Sequence, residues 1–136
     1  MSWVKTAGAA TNYFYPAGFT SVVELIGSPY HAPSNGVRML NIVNGTVTYS
    51  DGNLSVPIAW SLTWASNNVI TAGGAGTNKP TFTLTAKNGL IKGFFPHPQL
   101  GNAKTNFSGA VLQNLNYGAG FFPGTNQSGS FLLQGN

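Results

Sequence analysis

The segment LSVPIAWSLTW, residues 54–64, decides the fold class. A large apolar residue occupies every second position, and the positions between them carry Ser, Pro, Ala, Ser and Thr. A repeat of two residues is the pattern of a half-buried β-strand, and the turn of a helix, about 3.6 residues, cannot reproduce it. Pro57 has no backbone N–H to give to a sheet, so we expect an edge position or a bulge there.

Shorter strand patterns fill most of the remaining chain, and no segment shows a sustained helical repeat with caps. The other predicted strands are residues 19–26, 37–43, 46–50, 81–86, 90–95, 105–113, 117–122 and 130–134. Several are bounded by dipeptides that favour tight hairpin turns, namely Asn35-Gly36, Asn44-Gly45, Asp51-Gly52 and Asn88-Gly89. This spacing predicts an all-β fold, an antiparallel barrel of about eight strands, with a β-sandwich as the alternative.

Glycines inside the predicted strands favour the barrel over a flat sandwich. They occur at Gly93, Gly109, Gly118 and Gly120, where they indicate bulges, corners or close backbone approach. The sequence Gly-Phe-Phe-Pro occurs twice, at 93–96 and 120–123, which fits either a duplicated hairpin or chance similarity. The predicted core residues are Leu54, Val56, Ile58, Trp60, Leu62, Phe82, Leu84, Phe94 and Val111.

Length and charge bound the class of protein. With 136 residues and no Cys, the chain is predicted to form one domain, residues 1–136, large enough to bury a core without disulfides. Only 6% of residues are charged, against roughly 25% in an average domain. The basic residues are scattered, which argues against a nucleic-acid partner, and no apolar run is long enough for a transmembrane helix.

Few residues suit acid–base or metal chemistry. Glu24 and Asp51 are the only carboxylates, and Asp51 is the expected residue type for a turn. His31 and His97 lie near prolines in predicted loops, without the spacing of a metal site. We therefore predict no catalytic residue, no metal, no cofactor and no enzymatic activity.

Loop aromatics are the candidate ligand-binding residues. Tyr13, Tyr15, Tyr30 and His31 lie in or beside predicted loops, where rings have less reason to be buried. Exposed planar rings beside Asn and Gln are a common means of holding a sugar ring. The alternative is that these rings close one end of the barrel. A coplanar exposed pair would favour sugar binding, whereas burial would favour a structural role.

Several motifs resemble one bacterial module. They are NGLIKGFFPHP at 88–98, FSGAVLQ at 107–113 and GAGFFPGTNQSG at 118–129, preceded by WVK at 3–5 and YFYPAGF at 13–19. Together they resemble a module near the C-terminus of large exported proteins of planctomycete and verrucomicrobial bacteria, and GTNQSG is the most specific element. The resemblance implies an exported, β-rich accessory module and transfers no catalytic residue.

The functional expectation combines this setting with the composition. We expect a non-catalytic accessory module of an exported bacterial surface protein, structural or adhesive, with a carbohydrate-binding module as the alternative. The polar residues are mostly uncharged, so little repulsion keeps copies apart, and self-association or docking onto neighbouring modules or polysaccharide is expected. The expected location is secreted or at the cell surface, although the chain shows no signal peptide.

Overall fold

A computed structural model describes residues 1–8 and 15–136 and separates them into an eight-stranded sheet and a two-stranded hairpin. Short 3₁₀ helices occupy Pro98–Leu100 and Gln113–Leu115. The strands in this part of the chain are β1 (Ser2–Lys5), β2 (Phe19–Val22), β3 (Asn44–Asp51), β4 (Ile58–Trp64), β5 (Ile70–Ala72), β6 (Thr81–Thr85), β7 (Leu90–His97), β8 (Ala103–Leu112), β9 (Tyr117–Pro123) and β10 (Ser128–Gly135).

The large sheet curls into a nearly closed barrel. Its strand order is β5-β4-β3-β10-β9-β8-β7-β6, and every pair of neighbours is antiparallel. The strands at the two ends of this order, β5 and β6, lie close to each other. The predicted all-β fold with an eight-stranded antiparallel barrel is therefore confirmed. The β1–β2 hairpin stands outside the barrel as a separate sheet.

Two turn and strand predictions were wrong in detail. The strand predicted from Leu54 begins only at Ile58, because Asp51, Gly52 and Asn53 all adopt left-handed backbone conformations that turn the chain first. Val56, predicted in the core, is consequently 63% exposed. The dipeptide Asn44-Gly45, predicted as a turn, lies within β3.

The segment 37–43 forms no strand, yet it contributes much of the core on the β3 side. Met39, Leu40 and Ile42 are buried and belong to the same hydrophobic cluster as β3 and β4. The prediction of a strand there recognised apolar residues correctly but not their backbone conformation.

The barrel interior is filled mainly by large aromatic side chains. The Tyr49 ring stacks on Phe95 with a centroid distance of 4.2 Å and meets Phe107 edge-on at 5.4 Å. Of the predicted core residues, Leu62 and Val111 are buried, and five others pack partly buried against the cluster: Leu54, Ile58, Trp60, Phe82 and Leu84.

The core prediction at Phe94 was wrong by one residue. Phe95 is buried, whereas Phe94 is half-buried on the opposite face, with the Lys104 ammonium 4.6 Å from its ring centroid. Two adjacent Phe residues give no alternation, so the sequence pattern could not choose the inward one.

Glycine in the strands makes room for the rings. Gly109 on β8 is paired with Gly120 on β9, and the Phe131 ring lies over both. A Cβ atom at Gly109 would lie 2.7 Å from this ring, and one at Gly120 would lie 2.5 Å from it. The two Gly-Phe-Phe-Pro segments lie on β7 and β9, where Phe95 and Phe122 meet edge-on at 4.8 Å.

We expect Gly120→Ala to destabilise the barrel by about 1–3 kcal/mol, because the added methyl group must displace the Phe131 ring or the adjacent strand. Gly27→Ala is the matched control, since an added methyl group there would have no atom beyond its chain neighbours within 4 Å, and it should change stability by less than about 0.5 kcal/mol. Urea unfolding of the three proteins measures both values. Equal stability of the two variants would contradict the packing described for Gly120.

A second expectation concerns the Tyr49 hydroxyl, which is buried without a hydrogen-bond partner among the described residues. Tyr49→Phe should stabilise the protein by about 1 kcal/mol, since the buried hydroxyl has lost its water without compensation. Tyr117→Phe, at a half-buried ring, serves as the control.

The loss of stability at alkaline pH gives a second test of the burial of Tyr49. Burial raises the pKa of Tyr49 far above its usual value of 10.0. Above about pH 10 the unfolded chain can ionise this tyrosine while the folded protein cannot, so stability falls as pH rises. Urea unfolding at about pH 7 and about pH 11 should show a smaller loss in Tyr49→Phe than in the parent chain. An identical alkaline loss in both proteins would show that Tyr49 is not shielded from water.

Candidate functional site

A groove of about 720 Å³ lies between the β1–β2 hairpin and the outer surface of the barrel at β9 and β10. This volume falls in the range of about 300–1,000 Å³ that is usual for ligand sites. Its lining is mostly apolar, with a few hydroxyl groups and one ammonium group. The lining residues are Trp3, Lys5, Tyr15, Phe19, Thr20, Ser21, Val23, Phe121 and Ser128.

Strand alternation explains which hairpin residues enter the groove. In the β1–β2 register Trp3 is paired with Ser21, and Lys5 is paired with Phe19. Because successive side chains of a strand point to opposite faces, these residues lie on the face toward the barrel. Val22 lies on the other face and is 86% exposed.

The aromatic rings of the groove meet edge to face. Phe19 lies between Trp3, at a centroid distance of 5.2 Å and 84° between planes, and Tyr15, at 5.0 Å and 62°. Phe121 on β9 lines the barrel side, and both Trp3 and Phe121 are 60% exposed. Tyr15 and Phe19 therefore offer walls set at steep angles and not a coplanar platform.

Tyr15 links the hairpin to the barrel through hydrogen bonds. Its hydroxyl oxygen accepts a hydrogen bond from the Ser128 backbone N–H at 2.8 Å, and its own N–H donates to the Asn126 carbonyl at 3.2 Å. The Lys5 ammonium donates to the Tyr15 carbonyl at 3.0 Å. Tyr15 has a φ of 52°, and these three contacts hold it in this uncommon conformation.

The loop that receives Tyr15 is the GTNQSG segment, residues 124–129. Its backbone is held by Asn53, whose side-chain oxygen accepts hydrogen bonds from the N–H groups of Thr125 at 2.7 Å and Asn126 at 3.3 Å. The Asn53 amide also donates to the Asn126 side-chain oxygen at 2.8 Å. The most distinctive motif of the sequence thus shapes the anchor for the hairpin.

Tyr30 and His31 lie at the opposite end of the strands. The Tyr30 hydroxyl donates to the Ala86 carbonyl, and its half-buried ring lies against Gly89 in the β6–β7 turn. Burial raises the pKa of Tyr30. The Gln113 side-chain amide bonds both the N–H of His31, at 2.7 Å, and its carbonyl, at 2.9 Å.

Tyr15 therefore does not share one site with Tyr30 and His31. The structure brings together Tyr30 and His31 and places Tyr15 in the groove at the other end, beside the β9–β10 turn. Tyr13 lies outside the described residues. Tyr30 packs partly buried against the core. Trp3, Phe19 and Phe121 were missed as groove residues because no local motif joins them.

His97 lies at the end of β7, and its side chain is fully buried. Its Nε2–H donates to the Gly52 carbonyl at 3.0 Å, which leaves a buried Nδ1 without a partner among the described residues. Within residues 1–8 and 15–136, no three His, Asp or Glu side chains are grouped so that they could hold a metal ion. The same residues contain no helix with the length and apolar character needed to cross a membrane.

Comparison with known proteins finds no match among protein-family models, curated proteins or solved structures.

We expect Tyr15→Phe to loosen the hairpin, because Ser128 N–H loses its acceptor at a net loss of about 0.5–1.5 kcal/mol. Amide hydrogen exchange at Ser128 should become several-fold faster. Tyr117→Phe, which also removes a phenolic hydroxyl, is the control and should leave Ser128 unchanged. Unchanged exchange at Ser128 in Tyr15→Phe would show that the hydroxyl does not anchor the hairpin.

Proposed function

We propose that this chain is a non-catalytic accessory module of an exported bacterial surface protein, and that it docks onto neighbouring surface components through its N-terminal hairpin. The observation that carries the proposal is the apolar outer side of this hairpin. Val4 and Val22 are exposed there, and Leu25 and Ile26, just beyond β2, are 73% and 56% exposed. A group of exposed apolar residues along one segment of the chain is typical of interaction sites.

The charge pattern supports docking at the same place. Within residues 1–26 the only charged side chains are Lys5 and Glu24, and Lys5 is directed to the Tyr15 carbonyl in the groove. Proteins that keep such surfaces free usually place charges or prolines on exposed strands. The outer strand residues of this hairpin include no charged residue and no proline, so neither charge repulsion nor a proline opposes its association with other surfaces.

A non-catalytic role is consistent with the places of the two carboxylates. Asp51 occupies a left-handed turn position with φ 63°, where Asp is a favoured residue type. Glu24 lies on the exposed segment after β2. Each has a position that serves local structure or solvation and needs no acid–base function.

Retention on bacterial cell-wall preparations tests the docking role. The double substitution Leu25→Ser with Ile26→Ser should weaken retention at least about tenfold, because it removes exposed apolar surface beside the hairpin. The matched control is Val56→Ser with Val69→Ser, which changes two exposed apolar residues of the barrel and should retain parent behaviour.

Two outcomes would contradict the proposal. Equal retention of the two double variants would show that the hairpin side is not the docking surface. Turnover in a glycan-hydrolysis screen run beside the binding assay, and lost in Asp51→Asn or Glu24→Gln, would show an enzyme that depends on a carboxylate.

A carbohydrate-binding role is the second candidate, and the groove favours it. Trp3 and Phe121 are large exposed rings, and Ser21 and Ser128 bring hydroxyl groups to the same groove. Titration with soluble cell-wall polysaccharides should change Trp fluorescence in the parent chain and not in Trp3→Ala. Tyr30→Phe, at the other end of the barrel, is the control. A fluorescence change that persists in Trp3→Ala would remove this candidate site.

A further inference from the structure

The backbone of β2 has one edge paired with β1 and one edge free. Val23 N–H donates to the Met1 carbonyl at 2.8 Å, and the Met1 ammonium donates to the Val23 carbonyl at 3.1 Å. In an antiparallel pair the backbone groups of alternate residues point to the same side. The groups of Ser21 and Phe19 therefore point to β1, as those of Val23 do.

The N–H and C=O groups of Thr20 and Val22 point the other way, and so would those of Glu24 in a continued strand. No described residue forms a backbone hydrogen bond with them on that side. Sequence alternation predicts a strand through residue 26, whereas β2 ends at Val22, opposite the first residue of β1. A strand-forming segment is thus left with an unpaired, nearly uncharged edge, which is a template for another strand.

We propose that two copies of this chain pair through the free edges of β2, about a two-fold axis beside Val22, and join their hairpins into one four-stranded sheet. The proposal rests on the proposed function in one respect, since it identifies one partner of the docking hairpin. The strand order is β1 and β2 of one copy followed by β2 and β1 of the other. Such a contact uses the same residues of both copies, so assembly ends at a dimer and does not continue into a longer chain.

Two-fold symmetry restricts the register in which the two β2 strands can pair. A two-fold axis perpendicular to the sheet can pass through a hydrogen-bonded pair, at Thr20, Val22 or Glu24, or through a non-hydrogen-bonded pair, at Ser21 or Val23. An axis at Ser21 places Glu24 opposite Gly18, where the chain turns away, and an axis at Val23 places the Glu24 carboxylate opposite the apolar Val22. An axis at Glu24 places two carboxylates opposite each other, which is unfavourable. An axis at Thr20 places Val22 opposite Gly18, where the left-handed turn with φ 71° leads the chain away.

The axis at Val22 has none of these faults. It pairs Val22 with Val22 of the second copy, Thr20 with Glu24, and Phe19 with Leu25. The single carboxylate of each edge then meets a hydroxyl group, and the exposed valines meet each other. The edge is self-complementary, which is the argument for a second copy as the occupant. A contact this small is expected to be weak and concentration-dependent.

Disulfide trapping tests the register directly. The chain has no Cys, so a disulfide in Val22→Cys can form only between copies. At the proposed axis the two Cα atoms lie within reach of a disulfide, which spans about 4.4–6.8 Å. Val4→Cys is the control, because Val4 is an exposed valine on β1, the outer strand of the proposed sheet. We expect Val22→Cys to form dimers at least about tenfold faster than Val4→Cys. Equal rates would overturn the proposal.

Charge substitutions at Val22 give a second, independent test of the proposed axis. Val22→Lys and Val22→Glu should each lower the dimer fraction at least about fivefold in sedimentation equilibrium, because like charges then face each other across the axis. An equal mixture of the two variants should restore the dimer. Parent-like dimerisation of either variant alone, or no recovery in the mixture, contradicts an axis at Val22.

The dimerisation experiments and the cell-wall retention experiment can succeed or fail independently of each other. A parent chain that remains monomeric at millimolar concentration overturns pairing through β2, whatever its retention on cell walls. Retention on cell walls that depends on Leu25 and Ile26 in such a monomer still supports docking. A dimer that resists both Val22 charge variants overturns the β2 contact and places self-association elsewhere on the surface.

Discussion

Close packing of aromatic rings onto bare glycine backbone is the constraint on which the rest of the structure depends. The interior of an eight-stranded barrel is narrow, and here it contains Tyr49, Phe95, Phe107, Phe122 and Phe131. Rings of this size fit because the strands beneath them lack side chains at the points of contact. The resulting curvature brings β5 and β6 together and leaves the barrel with little exposed edge.

Near closure of the barrel has a consequence for the N-terminal hairpin. The ends of the large sheet already face each other, so β1 and β2 pair only with one another among the described strands. One face of the hairpin and Phe121 line the groove, while the other face of the hairpin and the edge of β2 face solvent. The apolar residues that would be buried in an added strand are instead available for docking. The proposed function and the proposed pairing both follow from this arrangement.

Local alternation was enough to predict the fold class and part of the core, but not the site. The repeat of two residues correctly identified β4 and the burial of Leu62, whereas the adjacent pair Phe94 and Phe95 contained no alternation to interpret. Tyr15 and Tyr30 are similar in sequence context, yet strand connectivity places them at opposite barrel ends. The groove combines residues from both ends of the chain, and only the three-dimensional arrangement brings these together.

Amide hydrogen exchange, followed by NMR over a range of protein concentrations, shows whether the hairpin is a docking element outside the barrel. We expect strong protection of the barrel strands at every concentration. At low concentration Thr20 and Val22 should exchange rapidly while Ser21 is partly protected, and protection of Thr20 and Val22 should increase as concentration rises. Strong protection of Thr20 and Val22 that does not vary with concentration would mean that their edge is already covered within one molecule, and that the hairpin is not free to dock.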